Sequence, residues 1–185
     1  MTQFQIHRFK QIDSTSSAAF RYARKGAPSG SVFVADYQTE GRGKLGRQWV
    51  SPQGKNLLFS ILLRPEIKAS RAPWLTQIIC RSVAQVLQKK YGLVPTFKRP
   101  NDVMIRGKKI CGVLIEAKGQ SSGKLESLVI GVGLNVNSSS EELIEGATSL
   151  LEQTKKRQPR SGLLKDLLTQ INNDLVGWEK QFQLQ

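Results

Sequence analysis

At 185 residues and 39% hydrophobic content, the chain suits a single domain over residues 1–185 with room for a proper core. Its 28 basic against 14 acidic residues give a net charge of +14, which points to an anionic partner: nucleotide, nucleic acid or an acidic protein. One histidine, His7, and two cysteines in apolar surroundings, Cys80 and Cys111, argue against a protein-built zinc site and read as buried, reduced thiols.

The N-terminal ten residues lack the apolar core of a signal peptide, and no apolar run approaches the ~20 residues that span a bilayer. A soluble cytoplasmic protein without membrane contact is expected. Residues Phe4–Phe9 alternate apolar and polar and predict a short strand. Asp13, Ser14, Thr15 and Ser16 are helix-capping types, and Ala18, Ala19, Phe20, Tyr22 and Ala23 continue a helix that ends near Gly26. Capping accounts for Ser14 and Thr15, although a hydroxyl at a helix N-terminus can also meet a ligand oxygen. After a turn at Ala27–Gly30, a strand over Ser31–Gln38 delivers Gln38 to the mouth of a glycine-rich stretch.

That stretch, Glu40–Trp49, reads E-G-R-G-K-L-G-R-Q-W. Gly41, Gly43 and Gly46 alternate with Arg42, Lys44 and Arg47. Glycine lets a ligand approach the backbone, bare N–H groups can surround an anion, and arginine adds a planar fork for phosphate or carboxylate. The spacing satisfies G-x-G-x-x-G, but no helix opens at the third glycine as a dinucleotide fold requires. Gly46-Arg47-Gln48 is not a Walker ending, and the kinase catalytic motifs are missing. A basic, solvated hairpin tip is the plain alternative. Such a loop is expected to be mobile when empty and ordered around an anion.

Leu57–Leu63 is apolar throughout and predicts a buried strand or one at a subunit contact. After a basic connection at Pro65–Pro73, Trp74–Tyr91 has helical period and stops at Gly92. T-F-K-R-P-N-D at Thr96–Asp102 reads as a turn, yet it compresses Lys98, Arg99, Asn101 and Asp102 into five positions. Such a cluster can bind phosphates and Mg²⁺, with Asp102 the candidate ligand. Val103–Ile105 and Lys109–Ala117 form a hairpin around Arg106-Gly107. Period two sets Lys109, Cys111, Val113 and Ile115 on one face, and Ile110, Gly112, Leu114 and Glu116 on the other. Gly112 inside a strand signals close approach by another group, and Lys109 is also explained as a solvent-facing edge lysine. Gly119–Lys124 is a polar loop. A strand at Leu128–Asn137 follows, with Gly131 and Gly133 leaving one face bare and Asn135 continuing it. After the polar stretch Ser138–Thr148 and the basic run at Leu150–Arg160, a helix runs to about Phe182.

Together these stretches resemble the catalytic domain of biotin protein ligases. The match rests on E-G-R-G-K-L-G-R-Q-W, K-R-P-N-D at 98–102, K-K-I-C-G-V-L-I-E at 108–116, V-I-G-V-G-L-N-V-N at 129–137 and D-S-T at 13–15. It covers the chain from about Ile6 to Trp178. The resemblance implies an α+β fold similar to class II aminoacyl-tRNA synthetases: a mixed, mostly antiparallel sheet with helices packed on one side. It also implies activation of biotin by ATP and Mg²⁺ to biotinoyl-AMP, then transfer to a lysine of the biotin carboxyl carrier protein.

By position, Ser14, Thr15, Ser16, Gln38, Gly41, Arg42, Gly43, Lys44, Lys109, Gly112, Gly131 and Gly133 resemble the biotin site, with Gly131 and Gly133 as its floor. Arg42, Arg47, Trp49, Lys98, Asn101, Lys109 and Asn135 resemble the ATP site, with Trp49 near the adenine. Lys109, Arg42 and Asp102 resemble the catalytic group, with Asp102 also on the metal side. The family usually has asparagine at position 16, tryptophan at 99 and arginine at 44, where this chain has Ser16, Arg99 and Lys44. Neither the N-terminal DNA-binding winged helix of repressor-type members nor the usual C-terminal β-barrel is expected here, and sequence-specific DNA binding is not. A homodimer stays open. A lipoate or octanoate transferase of the same superfamily is the close alternative. A nucleic-acid binding module, suggested by charge alone, lacks a helix-turn-helix or an aromatic stacking array.

Overall fold

A computed structural model describes residues 4–65, 72–119 and 125–183. The elements run β1 (Gln5–Ile12), α1 (Thr15–Arg24), β2 (Ser31–Gln38), β3 (Leu57–Leu63), α2 (Ala72–Tyr91), β4 (Pro95–Lys98), β5 (Asp102–Ile105), β6 (Lys108–Gly119), β7 (Leu125–Leu134), α3 (Leu150–Thr154) and α4 (Arg160–Gln183). The strands form one seven-stranded sheet in the order β1-β2-β3-β7-β6-β5-β4. Among the described strand pairs of this sheet, β1–β2 is parallel and the others are antiparallel. The expected mixed, mostly antiparallel α+β sheet is therefore present.

Burial follows the pleat. On one face, Phe59 and Ile61 of β3 and Ile130 and Val132 of β7 join Leu75, Ile79, Val83 and Leu87 of α2 and Leu163, Leu164, Leu167 and Ile171 of α4 in the main core. The residues between them point the other way: Phe33, Leu62 and Val129 meet Ala18, Ala19 and Ala23 of α1 in a smaller core. Helices thus lie on both faces of the sheet, not on one side as expected. Alanines let α1 seat closely against a face whose other half stays open. All seven residues of β3 are buried, because it sits mid-sheet between two covered faces.

Two elements differ from the sequence reading. The T-F-K run is an edge strand, β4, instead of part of a turn, because it pairs in register with β5 through Phe97–Val103 and Lys98–Asp102. The stretch read as a basic run opens with α3, whose N-cap Ser149 accepts from the Glu152 N–H at 3.1 Å. Most of the connection ahead of α2 (66–71) and of the loop after β6 (120–124) falls outside the described residues.

Cys80 on α2 and Cys111 on β6 are both free and buried. Burial pushes the Cys80 thiol up to about 12 and raises Cys111 as well. Neither should react with iodoacetamide at pH 8 until denaturant is added. Rapid alkylation of the native protein, followed by mass spectrometry, would contradict this packing.

Candidate functional site

The open half of the α1 face is built from cross-strand rows. Register sets Asp102 beside Gly112, Gly112 beside Gly133, and Gly133 beside Leu58, a row across β5, β6, β7 and β3. The next row places Leu114 beside Gly131 and Gly131 beside Ser60. Glycines at the centre of both rows leave a shallow basin in the sheet. The N-terminus of α1 stands over one end, and the glycine-rich stretch folds over the rest.

Lys109 reaches this basin by a register shift. Val103 pairs with Cys111 but Met104 pairs with Lys109, leaving Ile110 as the extra residue of a β-bulge. Ile110 turns into the main core, where it is fully buried. Lys109 turns instead onto the Gly112 face, and its Nζ pairs with Asp102 Oδ1 at 2.7 Å. Strict alternation, which set Lys109 with Cys111 and apart from Gly112, is therefore corrected by one bulged residue. The Lys109 backbone is held as well, donating to Gly146 O and accepting from Thr148 N, both at 2.8 Å.

The glycine-rich stretch closes on itself. Trp49 N donates to Gly41 O at 2.9 Å, Gly43 N donates to Arg47 O at 2.7 Å, and Arg42 bridges Gln48. Leu45, at φ 58°, forms the exposed tip beside Gly46 at φ 73°. Arg42 is tied down to β6 by Glu116 at 2.9 Å. Trp49 folds inward. A Cβ on Gly133 would stand 2.5 Å from its Cε2, and one on Gly112 2.8 Å from its Cζ3. The indole therefore lies flat on this glycine pair, with Lys109 Nζ 5.2 Å from the ring centroid. Its Nε1–H is buried without an acceptor among the described residues, at a cost of about 1–3 kcal/mol.

At the other end, Ser14 caps α1 and the hydroxyls behind it are linked. Thr15 donates to Gln38 Oε1 through its N–H at 2.7 Å and its hydroxyl at 2.9 Å. Ser60 Oγ lies 2.8 Å from Thr15 Oγ1 and 3.0 Å from Ser16 Oγ. A Cβ on Gly131 would come within 2.9 Å of Ser16 Oγ.

One pocket thus gathers Ser14, Thr15, Ser16, Gln38, Arg42, Gly43, Lys44, Trp49, Asn101, Lys109, Gly112, Gly131 and Gly133 from the sequence-derived set. Asn101 is fixed there by its amide donating to Val113 O at 2.9 Å. Asp102 joins through Lys109. Gly41 and Arg47 line a neighbouring groove between the loop and β6, which shares Arg42, Gly43 and Leu114 with the pocket, and Lys98 is exposed on β4. Asn135 lies away from the pocket, buried, its amide donating to Thr148 O at 3.0 Å and facing Asn56. Gly112 and Gly133 make room for the protein's own indole and Gly131 for the Ser16 hydroxyl. Trp49 accordingly sits over the glycine floor itself.

The wall residues Leu58, Val113, Leu114 and Val132 were not legible as site residues. Neither was Ser60, although a lone serine in L-L-F-S-I-L-L was a signal. Asp102, the metal-side candidate, is paired through Oδ1 with Lys109 at 2.7 Å. No group of three or more metal-binding side chains occurs among the described residues.

A family profile described as the biotin/lipoate A/B protein ligase family matches residues 8–135. The chain belongs to that family. Among biotin/lipoate ligase family relatives, it is 37% identical over 161 residues to the bifunctional ligase/repressor BirA of Bacillus spizizenii, covering 85% of this chain and 49% of that protein. It is 30% identical to the biotin--[acetyl-CoA-carboxylase] ligase of Mycobacterium tuberculosis over 94% of this chain and 65% of that one. The fold superimposes on the biotin protein ligase of Aquifex aeolicus in complex with biotin and ATP with a TM-score of 0.79 and 34% identity, covering 95% of this chain and 72% of that chain. This chain spans about half the length of the Bacillus relative.

Gly133→Ala should push the indole off the floor, since a methyl there overlaps the ring. We expect altered tryptophan fluorescence and a stability loss of about 1–3 kcal/mol. An unchanged spectrum and melting temperature would show that Trp49 does not rest there in solution.

Proposed function

We propose that the chain is an ATP-dependent biotin protein ligase that forms biotinoyl-AMP and transfers biotin to a lysine of the biotin carboxyl carrier protein in the cytoplasm. The observation that carries this reading is one pocket with two unlike ends. Hydroxyls and an amide at Ser14, Thr15, Ser16 and Gln38 suit a neutral polar ring, and Arg42, Lys44 and Lys109 suit an anionic tail beside a phosphate.

In the first step, a carboxylate oxygen of biotin bonds to the α-phosphorus of ATP as the α–β bridging bond breaks and pyrophosphate leaves. Carboxylate and triphosphate repel each other, so Arg42 and Lys109 screen them and hold them in line. Both cations are already positioned by carboxylates, Arg42 by Glu116 and Lys109 by Asp102. The incoming anions exchange for these partners. Asp102 is the residue that would hold Mg²⁺, which typically takes one or two carboxylates plus substrate phosphate oxygens and would supply charge neutralisation at the triphosphate. In the second step, the acceptor amine attacks the acyl carbon, AMP leaves, and the amine gives up a proton, for which we assign Asp102 as acceptor. The folded loop shields the mixed anhydride from water.

Biotin-dependent exchange of pyrophosphate into ATP tests this directly. Lys109→Ala should lower exchange by about 100-fold or more, the scale of losing one charge-stabilising donor, with circular dichroism unchanged. Exchange with lipoate or octanoate in place of biotin would favour the sister activity. Biotin plus ATP should also protect the 41–47 segment from proteolysis; equal cleavage with and without ligands would remove the shielding role.

A further inference from the structure

We propose that Ser60, a β3 residue outside the pocket, is a positioning residue that fixes the hydrogen-bond polarity of the pocket's hydroxyl end. The inference rests on the biotin reading and specifies how the ring is read. Ser60 is completely buried and does not line the pocket. It touches the two hydroxyls that stand at the N-terminus of α1.

The direction of every bond in this chain is determined. The Thr15 backbone N–H can only donate, so the atom 2.7 Å from it must be the oxygen of the Gln38 amide. That oxygen cannot donate, so the Thr15 hydroxyl spends its one proton on it at 2.9 Å. Thr15 Oγ1 must then accept from Ser60 at 2.8 Å. Ser60, its proton used, must accept from Ser16 at 3.0 Å. The relay runs one way: Ser16 to Ser60 to Thr15 to Gln38.

Its two ends are therefore opposite in character. Ser16, with its proton committed inward, meets a ligand as an acceptor. Gln38, with its oxygen filled twice, meets a ligand through its NH₂ as a donor. A ring that carries N–H beside C=O, a cyclic amide or urea, satisfies both ends. Without Ser60, the Ser16 hydroxyl rotates freely and the distinction is lost. A buried Ser60 chosen only for packing would give none of this selectivity.

The test compares wild type and Ser60→Ala for binding of biotin and of two lactam analogues, each with one ring N–H replaced by CH₂, by titration calorimetry alongside thermal melting. In the wild type, one lactam should bind about tenfold more weakly than biotin, the scale of one hydrogen bond. In Ser60→Ala, biotin should weaken about tenfold and the penalty for that lactam should shrink to less than about twofold. Undiminished penalties for both lactams in Ser60→Ala would overturn the proposal, whatever the melting temperature. Ser60→Cys, similar in size with only a weak S–H donor, gives the same comparison should alanine fail to fold. Should wild type bind no biotin, the ligase reading itself falls and this inference with it. Wild-type binding with an unaltered mutant profile overturns the Ser60 role alone.

Discussion

An extra residue in β6 governs the chemistry of the site. Ile110 bulges into the main core, and its complete burial holds the register shift in place. The hydrophobic gain of about 1.5–3 kcal/mol from burying such a side chain anchors a lysine one position away. Lys109 is thereby turned from the core face to the basin, next to Asp102 and with its Nζ 5.2 Å from the centroid of the Trp49 ring. Flanking backbone bonds to Gly146 and Thr148 resist relaxation of the bulge. A charge that period two would set against the core instead faces the pocket. The register of an apolar neighbour does this, with no special feature of the lysine itself.

The glycines serve a second constraint. A cross-strand pair, Gly112 and Gly133, gives the indole of Trp49 a flat seat, and that seat ties the end of the glycine-rich stretch to the sheet. Arg42–Glu116 ties its beginning to the same strand, β6. The loop is thus held at both ends while its tip at Leu45 stays in solvent. Both principal cations of the pocket are paired internally, so the strongly basic chain does not present them as bare charges.

Much of this was legible from residue pattern. The β2 and β3 limits, the two long helices and the hairpin at Arg106-Gly107 follow from periodicity and turn residues. The glycine, lysine and hydroxyl stretches come together in one pocket although they are dispersed along the chain. What was not legible depended on tertiary contact. A bulge cannot be seen in K-K-I-C-G, because alternation assumes a partner strand in perfect register. Asn135 continues the bare glycine face by count, but β7 ends at Leu134 and the amide turns to Thr148. Ser60 looked like one polar residue in an apolar strand until Thr15 and Ser16 were set over it. That Gly112 and Gly133 face an indole, and Gly131 a serine hydroxyl, depended on where the loop and α1 fold.

The two faces of the sheet are unequally clad. Two long helices, α2 and α4, share the large core, whereas α1 rests on a small one to which it gives the buried residues Ala18, Ala19 and Ala23. Free energy of local opening scales with apolar packing, so the thin layer is the weaker cooperative unit. That layer carries Ser14, Thr15 and Ser16. Transient lifting of α1 would loosen the hydroxyl wall while the thick side keeps the sheet intact, opening that end of the pocket without unfolding the molecule.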